Sequence, residues 1–228
     1  MSGQVKSRQR VTDHGEVFTA EREVKAMCDL VSDECLRIDS RFLEPACGEG
    51  SFLAEILRRK LGEVKRRYKG HTVDFEKNSL LALGSIYGVE LLTDNVEICR
   101  NKLFDIWDKA YTESVKKADR REEVRESAGY ILEKNIICGN ALSLHQVDAA
   151  GNDTELPIIF SQWAFVTGPM IKREDYTFEQ LLTGNDSGEE TVKENTILGD
   201  TACEEDDGGT LIKVYPPVQY WRLKENEQ

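Results

Sequence analysis

The 228-residue sequence has no Cys-x-x-Cys pair, no apolar run of membrane-spanning length and no signal-peptide pattern at its start. Six scattered cysteines (Cys28, Cys35, Cys47, Cys99, Cys138 and Cys203) therefore read as reduced, mostly buried thiols, not as a disulfide framework or a zinc site. His14, His71 and His145 stand alone, without metal-ligand spacing. No internal repeat is present. These absences point to a soluble cytoplasmic protein with no membrane partner. Basic charge is also scarce where it would matter. Of the net charge of −12, residues 174–207 supply −11, through twelve acids against Lys193 alone. A protein that grips nucleic acid unaided shows a basic face. Lys and Arg do cluster in 58–69 and 116–125, and the plain reading of both clusters is a solvated helix face.

What is there is an alternation of helices and strands. Val24, Met27, Cys28 and Val31 recur at i, i+3, i+4 and i+7, which predicts a helix over about 20–31 with Thr19 as its cap. Residues 41–44 read as a short strand and 51–67 as a helix with the stripe Leu53, Ile56, Leu57, Leu61 and Val64. "RRYKGHTVDFEK" reads as a polar connection and "NSLLALGSI" as a short helix. "IYGVEL" (86–91) reads as a strand ending in an acid, and a helix follows over about 95–117. "NIICG" and "LPIIFSQWAF" are further apolar runs. This alternation implies an α/β fold: a doubly wound, mostly parallel, Rossmann-like sheet. The expected organisation is a flexible N-terminus (1–12), one domain (13–183), an acidic mobile loop (184–209) and a strand-like C-terminal tail (210–228). The loop's acidity also admits a DNA-mimic reading, with a linker the plainer one.

The chemistry concentrates in "FLEPACGEGSFLAEIL", residues 42–57. In an open parallel sheet, ligands bind beyond the C-terminal ends of the strands, where the first loop meets a helix N-terminus. Gly48 and Gly50 permit positive φ and bring backbone N–H groups close to a ligand. A dinucleotide site needs a third glycine, but Leu53 stands there. The acid Glu44 before the turn would repel a pyrophosphate and suits an amino-bearing or cationic ligand. Glu90, ending the next strong strand, can accept ribose hydroxyls, and the amide of Asn140 can meet an adenine edge. A ligand with adenosine and amino-acid parts follows: S-adenosylmethionine. Cys47 fits the turn because it is small. A nucleophilic role is the less economical alternative.

"HGEVFT", "FLEPACGEGSF", "YGVEL" and "GNAL", in that order, resemble the cofactor half of adenine-N6 DNA methyltransferases of the restriction-modification type called subunit M. The resemblance covers residues 14 to about 143. It implies a methyltransferase fold and assigns roles by position. Phe18 and Thr19 would approach the methionine carboxylate. Glu44, Ala46, Gly48 and Gly50 would shape the methionine pocket, with Phe52 beside it. Glu90 would hold the ribose, Leu91 would lie along the adenine and Asn140 would contact its amine. Two positions depart from the pattern: Ala20 where relatives often have Pro, and Asn140 where many have Asp.

One piece of that family's machinery is missing. N6 transfer requires an extruded adenine, stacked and with its amine polarised. The family does this with Asp, Asn or Ser followed by Pro-Pro and an aromatic. The only Pro-Pro here is Pro216-Pro217, in "YPPV". The strand "PIIF" (157–160) is followed by Ser161, Gln162, Trp163 and Phe165. By geometric analogy Ser161 or Gln162 would supply an acceptor and Trp163 a stacking surface, while the plainer reading makes the aromatics core or partner-facing. No target-recognition domain is evident. The resulting expectation is an S-adenosylmethionine-dependent DNA adenine-N6 methyltransferase, or a subunit of one, in restriction-modification or phage defence. It would reach DNA through specificity, nuclease or helicase subunits, and an oligomer is compatible with it. The alternatives are a non-catalytic cofactor-binding or architectural subunit, or a methyltransferase acting on RNA or a small molecule.

Overall fold

The computed structural model describes residues 19–179 and 212–227. Phe18, the N-terminal segment and the acidic loop expected at 184–209 lie outside the described residues. Helix α1 (Glu21–Leu30) begins with Ala20, not Thr19, at the cap position, and no side chain caps it. The Ala20 carbonyl instead accepts from the N–H groups of Glu23 and Val24. Glu21 and Glu23 in the first turn oppose the helix dipole. Only half of the expected stripe is buried. Val24 and Cys28 enter the core, whereas Met27 is 54% and Val31 45% exposed. A short helix, α2 (Ser32–Leu36), leads to strand β1 (Phe42–Glu44).

Helix α3 (Ser51–Arg67) follows the glycine turn and ends where its periodicity ends. The polar connection expected next is shorter than its composition suggests, because α4 (Thr72–Gly84) already starts at Thr72. Its buried positions include Phe75, Leu80 and Leu83, but also Glu76, whose charge hides the apolar face in the sequence. Strand β2 (Ile86–Glu90) is buried throughout. Helix α5 (Thr93–Ser114) is followed by a 3-10 turn at Lys117–Asp119 and by α6 (Glu122–Asn135), which takes up most of the charged stretch after residue 116. Strand β3 (Ile136–Asn140) completes a parallel trio, with Phe42 opposite Ile86 and Gly88 opposite Ile136. Two antiparallel strands, β4 (His145–Val147) and β5 (Asp153–Pro157), extend the sheet in the order β1-β2-β3-β4-β5. The chain is thus α/β, with a parallel core flanked by helices and an antiparallel hairpin at one edge.

The expected catalytic run departs from that sheet. Strand β6 (Ile159–Phe165) pairs antiparallel with β7 (Met170–Thr177), which also pairs with the short strands β8 (Lys213–Val214) and β9 (Val218–Gln219). The C-terminal tail is therefore a sheet component, split at Pro216-Pro217 as its composition suggested. Two buried polar knots join the layers. Glu76 accepts from the hydroxyls of Tyr111 (2.9 Å) and Tyr220 (2.7 Å) and from Arg121, whose guanidinium lies 4.4 Å over the Trp221 ring. Lys60 donates to the carbonyls of Ile38 and Ser40 and to Ser85 Oγ, and burial pushes its pKa down to about 8. Lys60 thereby fixes the chain just before β1 and just before β2 against α3. That clamp sets where the tips of the two strands fall.

Candidate functional site

The turn at 45–50 is built by main-chain bonds. Cys47 N–H donates to the Val89 carbonyl (2.9 Å), and Gly50 N–H donates to the Cys47 carbonyl (2.7 Å). Gly48 (φ +52°) and Gly50 (φ +74°) are both left-handed, for different reasons. At Gly50 a Cβ would lie 2.4 Å from Cys99 Sγ, so this glycine serves packing. At Gly48 a Cβ would meet nothing within 4 Å, so this glycine faces open space at the tip of β1. Gly88 in β2 admits the turn, since a Cβ there would lie 2.9 Å from Cys47 Sγ. Cys47 is buried, and its hydrogen bond with the Cys99 thiol, reinforced by desolvation, pushes its pKa far up. It packs as a small hydrophobe, with its thiol held toward the protonated form. All five described cysteines are free thiols.

The two strand-tip carboxylates lie within electrostatic reach of each other, and each is held differently. Glu90 Oε2 accepts from Gly48 N–H (2.8 Å), and Oε1 accepts from Leu92 N–H (3.0 Å) and Asn95 Nδ2 (3.3 Å). A carboxylate offers about four lone-pair sites. Among the described residues three are taken, which leaves one on Oε2 beside Gly48. Glu44 Oε2 is buried without a partner among the described residues. Burial raises the Glu44 pKa to about 8, against a backbone hydrogen bond from Leu53 that lowers it, and the Glu90 charge raises it further. Burial therefore holds Glu44 toward its neutral form, and a nearby cation would favour its ionisation.

The other expected residues are placed as follows. Thr19 is half-buried just before α1, Ala46 and Leu91 are exposed, and Phe52 packs against the core from the first turn of α3. Asn140 spends its amide locally. Its Nδ2 donates to Asp153 (2.9 Å), and its Oδ1 accepts from Leu142 N–H (3.0 Å), bracing the β4–β5 hairpin. Asn95, which the sequence reading missed, is buried and orients Glu90. Its position two residues into a helix after an acidic strand tip is the signal that could have found it.

Ser161, Gln162 and Trp163 are not brought to the glycine turn. Ser161 is 1% exposed, donates to Asp175 (2.7 Å) and accepts from Arg173 (2.9 Å). Gln162 is half-buried, opposite Glu174 on β7. Trp163 is 6% exposed and packs edge-to-face on Tyr130 and against Gly84, which precedes β2. Gly84 is six residues from Glu90, so Trp163 lies toward the opposite end of the strand, about 20 Å along it. These side chains hold the second sheet to the helices, the plainer of the two readings. Several bases of the two clusters are held in ion pairs. Arg66 and Arg67 share Glu63, Arg59 joins Glu55 to Asp29, Lys65 meets Glu113, and Arg125 meets Asp108 and Glu122. No described helix is long and apolar enough to cross a membrane.

Compared with family models, curated proteins and solved structures, the chain matches none.

Proposed function

We propose that the chain binds S-adenosylmethionine at the β1–β2 tips and serves as the cofactor-holding subunit of an adenine-N6 DNA methyltransferase in restriction-modification or phage defence. One observation carries this reading: Gly48 faces open space beside Glu90 Oε2, which keeps one acceptor site among the described residues, and Glu44, whose Oε2 is buried without a described partner, lies within electrostatic reach of Glu90. Glu90 Oε2 would accept a ribose hydroxyl. Glu44 would give up its proton and face the ammonium and sulfonium charges. Gly48 would let the ligand lie against the main chain. The cofactor supplies the methyl group, and the protein's contribution is position and charge.

The placement of Ser161 and Trp163 favours the subunit reading over a self-sufficient enzyme. Among the described residues nothing beside the turn stacks a target base, and the paired basic clusters leave DNA contact to partner proteins. Calorimetry with S-adenosylmethionine tests the pocket. Wild type should release heat on binding, and Gly48→Ala should weaken affinity by about 1–3 kcal/mol, as expected when a side chain obstructs hydrogen-bonded ligand groups. No heat with wild type would end the cofactor reading. Methyl transfer from labelled cofactor to unmethylated DNA, with and without co-expressed neighbouring gene products, separates a subunit from a complete enzyme.

A further inference from the structure

Beside the glycine turn, the sheet is unfinished. Strand β1 pairs with β2 on one side, and among the described residues nothing pairs on the other. Phe42 N–H donates to the Ser85 carbonyl, so Phe42 and Glu44 turn their main-chain groups toward β2. The alternation of a strand then turns those of Arg41 and Leu43 toward the free edge. Along that edge runs a groove of about 310 Å³, floored by β1 and walled by Met27 and Val31 of the α1 end and by Phe52 and Ile56 of α3. Its apolar rim is exposed: Met27, Val31 and the neighbouring Leu30, at 85%. A bare edge strand beside an exposed apolar surface is a template for another chain.

We propose that this edge receives an extended segment of a second polypeptide, added to the sheet as a strand beside β1. Its alternate side chains are apolar and fill the groove, and an acid lies level with Arg41. The occupant's chemistry follows from three features. Leu43 offers a main-chain donor and acceptor that only a backbone satisfies in ladder fashion. The groove beside it takes apolar side chains. Arg41 is exposed and has no ion pair among the described residues, so charge complementarity asks for a carboxylate. The rest of this chain is poorly suited to the role. The described residues that flank 180–211 lie at the second sheet: β7 ends at Thr177, and Ile212 N–H bonds the Asp175 carbonyl. Residues 1–18 carry Val5, Val11, Val17 and Phe18 among charged and polar residues, without period-two apolar spacing. In a doubly wound sheet the first strand has neighbours on both sides, so an added strand restores the usual surroundings of β1. The groove is also lined by Glu44 and Phe52, which the cofactor reading uses, but the inference requires no cofactor and is tested without one.

A displayed library of random nine-residue peptides, selected on the purified full chain, tests it. Recovered peptides should alternate apolar residues and carry an acid. They should bind Val31→Asp at least about tenfold more weakly, because the introduced carboxylate is buried in an apolar groove. They should bind Leu36→Asp, an exposed change on α2 outside the groove, as they bind wild type. On binding, hydrogen exchange at the Leu43 amide should slow. Failure to recover peptides that distinguish Val31→Asp from wild type would overturn the proposal. So would a Leu43 amide already protected in the isolated monomer, which assigns the edge to this chain itself. A wild-type dimer dissociated by Val31→Asp would also overturn it, because the occupant would then be a second copy.

Discussion

Replacing Gly50 with alanine separates packing from binding in the glycine turn. Two costs add at this position. A residue with a Cβ at φ +74° carries a left-handed penalty of about 1–2 kcal/mol. The new Cβ would lie 2.4 Å from Cys99 Sγ and 3.4 Å from Cys99 Cβ. Relief requires the buried thiol or the start of α3 to move, and overpacking of this kind costs about 1–3 kcal/mol. The sum is about 2–5 kcal/mol, to be read as a shift in the urea midpoint at unchanged slope. The clash lies almost wholly with the sulfur, so Cys99→Ala in the same chain should return the overpacking part. The double-mutant cycle should then show coupling of about 1–3 kcal/mol, leaving the backbone penalty. Gly48→Ala, with φ +52° and open space around it, should lose only the backbone penalty of about 1–2 kcal/mol in stability. A Gly50→Ala variant within about 0.5 kcal/mol of wild type, the usual range for inconsequential surface changes, would refute this account of the turn. So would an absence of coupling to Cys99.

The raised pKa of Glu44, about 8 against an ordinary 4.5, means the folded chain holds a proton that the unfolded chain has released. Its stabilising contribution is full below pH 4.5 and declines as pH rises toward 8, by up to about 1.4 kcal/mol per unit. Glu44→Gln should therefore flatten that part of the urea-stability profile, and an unchanged profile would refute the assignment. If the cofactor binds, calorimetry at pH 7 in buffers of differing ionisation enthalpy should show proton release, abolished in Glu44→Gln. Trp163→Ala should cost about 3–5 kcal/mol in denaturant unfolding, as for large buried aromatics, and leave cofactor affinity unchanged. Arg121→Ala should destabilise by about 3 kcal/mol, near the low end for a broken buried pair, because Glu76 keeps two tyrosine hydroxyls. A loss under about 1 kcal/mol, the scale of an exposed pair, would show that Arg121 is not needed to hold the tail.

The parts of the fold that were legible in the sequence are those whose burial follows local periodicity. Helix α3 spans 51–67 as its leucine and valine spacing indicated, and β2 reads directly because it is buried on both faces. Strand β7 was hidden for a physical reason: two of its buried positions are Arg173 and Asp175, an ion pair (2.7 Å) that looks like surface in a sequence. Glu76 conceals α4 in the same way. The converse error occurs in α1, where Met27 and Val31 look like core and are exposed. At the site, strand-tip logic placed Glu90 beside the glycine turn, where Gly48 N–H donates to it. The roles of Asn95 and Asp153 depend on contacts that no spacing rule specifies.

The pairing of β7 with β8 sets Asp175 directly opposite Lys213. The polypeptide between them thus departs and returns at adjacent points on one rigid support, already anchored by Tyr220 and Arg121. Lengthening such an excursion adds only about 0.6 kcal/mol of closure entropy per doubling. A reporter inserted within residues 180–211 would therefore be carried by the second sheet, on strands other than those that form the cradle at the β1–β2 tips.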